Sequence, residues 1–174
     1  MLINLSDVLS EQHKPIVRDI DPERQEVKLA AGVFPIVSKT PVHLEVTHIS
    51  GKELMIKGSA CISAEIPCDR CLITVSEELD LQFAKRVDLD ADDEDRTELD
   101  ETNYIDGYYL DVDQLLYNEI LIGWPMKVLC CEDCKGICSS CGQNLNKGAC
   151  DCEDTSLDPR MSVVRDVFKN FKEV

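Results

Sequence analysis

Seven of the chain's ten cysteines lie between Cys130 and Cys152. Cys138-Ser139-Ser140-Cys141-Gly142 has the form of a metal knuckle. Two residues between thiolates let both sulfurs reach one ion while backbone amides hydrogen-bond to them, and the glycine permits the tight turn. Cys150 and Cys152 follow and can complete a tetrahedron, although Cys-x-Cys chelates are less common than Cys-x-x-Cys. Cys68-Asp69-Arg70-Cys71 is a second knuckle, and Cys130 and Cys134 can supply its other half if the chain after Trp124 returns to it. Cys131 could replace Cys130. The expected cofactor is zinc, in two four-thiolate sites and at least in the one built on Cys138 and Cys141. Apparent binding energies for Cys-rich zinc sites are on the order of 10 kcal/mol, comparable with a small domain's total stability.

Other chemistries compete for the same residues. A redox role for Cys68 and Cys71 would want the pair at a helix N-terminus, where a thiol pKa falls; here it sits between strand-like segments. His43-Leu44-Glu45 followed by Pro67-Cys68-Asp69-Arg70-Cys71 matches a zinc deaminase pattern, with His43, Cys68 and Cys71 on the ion and Glu45 moving the proton. That pattern belongs on helix starts, whereas His43 and Glu45 lie in an alternating segment and point to one face, as a solvent-facing strand pair also would. No phosphate-cradling Gly-x-x-x-x-Gly-Lys loop, dinucleotide Gly-x-Gly-x-x-Gly or Gly-x-Ser-x-Gly elbow occurs. The reading is of a protein that is not an enzyme and takes no small-molecule substrate. Cys61 reads as a small core or interface thiol. Arg70, inside the knuckle, is the one basic residue singled out as a partner contact; a solvated tip residue is its plainer role.

The elements that must position these residues come from hydrophobic alternation. Val42, Leu44, Val46 and His48 share one face; so do Leu54, Ile56, Gly58, Ala60, Ile62, Ala64 and Ile66; so do Val75, Glu77, Leu79, Leu81 and Phe83. Ser50-Gly51-Lys52 turns between the first two, and the Cys68 knuckle joins the second to the third. Residues 14–37 read as irregular or short strand structure of unassigned pairing. Asp111 or Asp113 caps a helix with Leu115, Leu116, Glu119, Ile120 and Ile122 on its apolar stripe, ended by Gly123-Trp124-Pro125. Asp158-Pro159 starts a terminal helix carrying Met161, Val164, Phe168 and Phe171. The expected fold is α+β: an antiparallel β meander core with a few helices and a C-terminal cysteine-rich zinc lobe. Its divisions are 1–126 for the core, with an acidic loop at 88–101, 127–157 for the lobe, and 158–174 for a helix packed on either.

Thirty-four acidic residues against eighteen basic leave a net charge of −16, which repels phosphate backbones and argues against a broad nucleic-acid-binding face. RNA contact is then indirect, or confined to a spot such as Arg70 or the Lys135 and Lys147 lobe. Residues 88–101 hold nine acids and one arginine, which reads as a solvated loop or as a docking segment for a basic partner such as an rRNA-binding ribosomal protein. No run approaches the roughly 18 apolar residues of a membrane span, and Met1 to Asp7 lack a secretory leader. A cytoplasmic, reducing setting is expected, where clustered cysteines bind metal rather than form disulfides.

The cysteine pattern also carries a resemblance. Cys68-Asp69-Arg70-Cys71-Leu72, the run from Leu129 to Asn146, Cys150-Asp151-Cys152 and Asp158-Pro159-Arg160 resemble the YceD-like proteins. These are bacterial and plastid proteins associated with accumulation of large-subunit ribosomal RNA, and the likeness covers nearly the whole chain. It implies a non-enzymatic role in ribosome biogenesis, with a ribosomal protein or assembly factor as partner, large-subunit rRNA engaged directly or indirectly, and no membrane. Some proteins resembling this one keep the Cys-x-Arg-Cys knuckle but lack the second cluster, which fits two separable sites. The extra thiol at Cys131 departs from that pattern.

Overall fold

In chain order the elements are β1 (Leu2–Asn4), α1 (Ser6–Leu9), β2 (Ile16–Ile20), β3 (Glu26–Leu29), β4 (Gly32–Lys39), β5 (Val42–Ser50), β6 (Glu53–Pro67), β7 (Thr74–Asp88), β8 (Ile105–Asp106), β9 (Tyr109–Asp111) and α2 (Val112–Ile122). The computed structural model describes residues 1–10, 13–89 and 103–152. Two compact units emerge: Met1–Ile66 with Ser76–Met126, and Pro67–Val75 with the chain from Lys127 onward. Within the described residues the fold is mostly antiparallel β with two helices.

The period-two pattern builds the larger unit. Val42, Leu44 and Val46 of β5, then Leu54, Ile56, Ala60, Ile62, Ala64 and Ile66 of β6, then Leu79, Leu81 and Phe83 of β7 are buried. Polar residues between them face away. Each fully buried Leu or Ile contributes roughly 1.5–3 kcal/mol, so one face of this sheet carries much of the unit's stability. β5 runs antiparallel to β6 with His43 opposite Ser59 and Val46 opposite Ile56. β7 also pairs with β6.

Residues 14–37, whose pairing the sequence left open, supply β2, β3 and β4. β2 adds to β5, with Ile16 opposite Val46, while the β3–β4 hairpin adds to β6 through Ile36 opposite Ala64. The order β2-β5-β6-β4-β3, with β7 on β6, makes a six-stranded sheet. Its periodicity is blurred on β4 because Val33 and Val37 are apolar yet 57% and 51% exposed, and Pro35 has no N–H to donate. A second sheet has the order β1-β9-β8.

Asp111, not Asp113, caps α2: its Oδ1 accepts from the Asp113 and Gln114 amides at 3.1 and 3.4 Å. Leu115, Leu116 and Ile120 are buried, and Glu119 reaches Lys85 Nζ at 2.7 Å. Ile122 departs from the expected stripe and is 72% exposed, at the end where Gly123 closes the helix on the Glu119 carbonyl. Cys61 also departs from a core position: it is half-buried on the outer face of β6, and its amide donates to Thr40 Oγ1. No described helix is long and apolar enough to cross a membrane. Of the acidic segment 88–101 only Asp88 and Leu89 fall within the described residues, and the helix expected over 158–174 lies outside them.

Candidate metal centres

The β6–β7 hairpin ends in Pro67–Val75, which the second unit shares with the chain after Lys127. Asp69 clamps the two segments of that unit together. Its amide donates to the Val128 carbonyl at 2.9 Å, and its Oδ2 accepts from the Val128 amide at 2.7 Å. Arg70 Nη1 donates to the Cys134 carbonyl at 2.8 Å. Gly136 lies so close to the Arg70 carbonyl that a Cβ there would stand 3.1 Å from it, at a φ of +80° that also suits glycine. These contacts return the chain to the knuckle.

The result is a four-sulfur group of Cys68, Cys71, Cys130 and Cys134, all within 4.8 Å of one another. Cys68 and Cys134 Sγ are 3.8 Å apart, Cys71 and Cys130 Sγ 3.4 Å. Four thiolates about 2.3 Å from one zinc ion stand about 3.8 Å apart in a tetrahedron, so the donor set fits such an ion. Cys68, Cys71 and Cys134 are buried, with Val75 and Leu129 packed on them; Cys130 is exposed. Cys131, also exposed, has its Sγ 3.9 Å from that of Cys130 and lies outside the four.

Cys138, Cys141, Cys150 and Cys152 form the second group, again within 4.8 Å. None of them is buried. The short bridge between Ile137 and Asn144 and the bond from Gln143 Nε2 to the Ala149 carbonyl hold this loop.

The knuckles repeat one backbone device. Cys68 N–H donates to the Ile73 carbonyl and Leu72 N–H to the Cys68 carbonyl; Cys138 N–H donates to Gln143 and Gly142 N–H to Cys138, with matching distances of 2.8 and 2.9 Å. The residue after the second cysteine must then take positive φ, +73° at Gly142 and +60° at Leu72. Glycine adopts that conformation freely, whereas for an L-residue with a side chain it costs roughly 1–2 kcal/mol.

The thiols in each group divide their protons unequally. Burial pushes Cys68 up, but the amides of Arg70, Cys71 and Cys130 outweigh it and bring the thiol down to about 6. The Asn146 side-chain amide, 3.2 Å from Cys134 Sγ, leads in lowering Cys134, while the Cys71 and Cys134 sulfurs drive Cys130 far above the usual thiol range. In the second group the Cys141 and Ser140 amides bring Cys138 down to about 6, and the Cys141 sulfur pushes Cys152 up to about 12. Cys150 is raised: the Cys152 amide pulls it down, but the Cys138 sulfur and burial outweigh that pull. Thiolates this crowded repel one another, and a shared cation would relieve the repulsion.

The eight cysteines singled out from the sequence are the eight gathered here. Neither rival chemistry finds its geometry in them. Cys68 and Cys71 share their group with two further cysteines, leaving four sulfurs and no histidine. His43 Nδ1 instead meets Asp19 Oδ1 at 2.7 Å on the exposed face of β5, and Glu45 stands opposite Lys57 in the strand register. The Arg70 guanidinium has the bracing contact to Cys134 described above. Asp69 and Asn146 were not singled out by sequence reasoning; short polar residues in loops carry no periodic signal, and no spacing rule points Asn146 at Cys134.

These features define a mostly antiparallel β protein with two four-cysteine groups, each able to hold a metal ion. A family model described as large ribosomal RNA subunit accumulation protein YceD matches residues 56–168, which run from within β6 through both groups. The chain belongs to the YceD family, and membership supports a role in accumulation of large-subunit ribosomal RNA. No curated protein and no solved structure matches the chain.

Proposed function

We propose that the chain is a cytoplasmic, non-enzymatic, zinc-stapled factor that sustains large-subunit rRNA accumulation by engaging a ribosomal protein or assembly factor. The observation that carries this reading is the pair of all-cysteine groups with zinc-like sulfur spacing. Four protein thiolates fill a tetrahedral ion and leave no open position for substrate, which is the arrangement of structural rather than catalytic zinc. An all-sulfur set of this kind selects zinc or iron–sulfur chemistry, and zinc is the member that brings no redox function. Cys68, Cys71, Cys130 and Cys134 hold one ion; Cys138, Cys141, Cys150 and Cys152 hold the other. The net charge of −16 favours a basic protein over bare RNA as the partner. A body of 1–126, a zinc lobe of 127–157 and a terminal helix over 158–174 complete the proposal, and limited proteolysis of the zinc-loaded protein tests those boundaries.

Native mass spectrometry of the wild type, Cys68→Ser and Cys138→Ser tests the reading. Two zinc ions falling to one in each variant are expected; one ion lost only with Cys138→Ser would remove the first site. In cells lacking the wild-type chain, both variants should accumulate less large-subunit rRNA.

A further inference from the structure

Leu72 occupies the positive-φ position of its knuckle, where the second knuckle has Gly142. The hydrogen bonds around the two positions match, so glycine would satisfy the turn equally well. The leucine side chain is nevertheless 64% exposed, beside Ile73 at 39%. Ile137, next to the glycine that lies against the Arg70 carbonyl, is 40% exposed. A strained backbone and a hydrated apolar side chain at one residue both oppose folding, and such strain concentrates where a surface is used.

We infer that Leu72, with Ile73 beside it, is the apolar anchor by which the Cys68 knuckle inserts into a pocket of a cationic protein of the large ribosomal subunit. This rests on the partner-mediated reading above. An aliphatic side chain offers no donor, acceptor or π-face, so it neither pairs with phosphate nor stacks on a base; it fills an apolar pocket on a protein. Charge selects among proteins. A second copy of this chain would bring −16 against −16. The acidity is also divided: Pro67–Val75 and Lys127–Val174 carry nine acidic and eight basic residues, the remainder of the chain 25 and 10. The knuckle's own unit is thus close to neutral. The chain's net charge draws a basic protein in over distance, and the leucine supplies the grip.

The test compares zinc-loaded wild type, Leu72→Gly and Leu72→Asn, each binding the individually purified proteins of the large subunit and, separately, its naked rRNA. Glycine and asparagine both tolerate positive φ, so both variants should keep two zinc ions and melt at or above the wild-type temperature. At least one basic protein should bind the wild type, and both variants should bind it about tenfold more weakly. Raising salt should weaken all three proteins while leaving that tenfold ratio unchanged. Equal binding by wild type and variants would overturn the anchor and leave the partner-mediated reading standing. Leu72-dependent self-association, or Leu72-dependent binding to rRNA alone, would likewise overturn it. Failure of every large-subunit protein to bind the wild type would overturn the anchor's occupant, leaving an assembly factor as the partner in the reading above.

Discussion

Cys68 and Cys138 head knuckles with the same backbone hydrogen bonds, yet the groups they begin close in different ways. The first joins thiols 59 and 66 residues apart and buries three of them under Val75 and Leu129. The second closes within the loop from Cys138 to Cys152 and leaves its sulfurs half-buried or exposed. Distance along the chain would set the physical role of an ion held in each group. An ion that closes a long loop offsets a larger entropy of closure and holds two remote segments together. One that closes a short loop shapes only that loop. Burial sets access in the same order, since chelators and alkylating agents reach exposed thiols first.

The largest expected effect separates the two. Cys68→Ser should remove a binding energy on the order of 10 kcal/mol and strip hydrogen-exchange protection from the Asp69 and Val128 amides, which depend on the returned segment. Cys138→Ser should leave that protection nearly intact; equal loss in both variants would break the contrast. Next comes Asn146→Ala, which deletes the donor to Cys134 Sγ. Loss of such an outer hydrogen bond typically weakens a metal site 10–100-fold, so competition with a zinc chelator should show the first site weakened and the second almost unmoved, although Asn146 lies between cysteines of the second.

A smaller effect is readable in pH. In zinc-depleted protein Cys138, with its thiol brought down to about 6 and only half-buried, should be alkylated by iodoacetamide ahead of Cys68, whose pKa is similar but whose sulfur is covered. The thiolate is the nucleophile, so the Cys138 rate should be near its plateau at neutral pH and fall as pH drops through about 6. The least effect is expected from Cys131→Ser, which should keep both ions while Cys130→Ser loses one; the reverse would exchange their roles.

Much of the first unit was legible because one-sided burial writes itself as alternation, as in Leu54 to Ile66. The strands of residues 14–37 were not, since Val33 and Val37 are apolar but exposed and the strands' pairing is set by remote partners on β5 and β6. The same contrast holds at the centres. Cys138 and Cys141 declare themselves by a spacing that one tight turn dictates. Leu72, by contrast, looks like any apolar residue after a cysteine, and its strain appears only as a φ of +60°.

Composition and spacing alone thus determined that thiolates would cluster in two knuckles, because ligand geometry over a few bonds is local. Which segment completes the first knuckle was decided by tertiary contacts: the Asp69–Val128 clamp, the Arg70 bond to Cys134 and the approach of Gly136. Those contacts join residues about sixty positions apart, and local periodicity carries no information at that range.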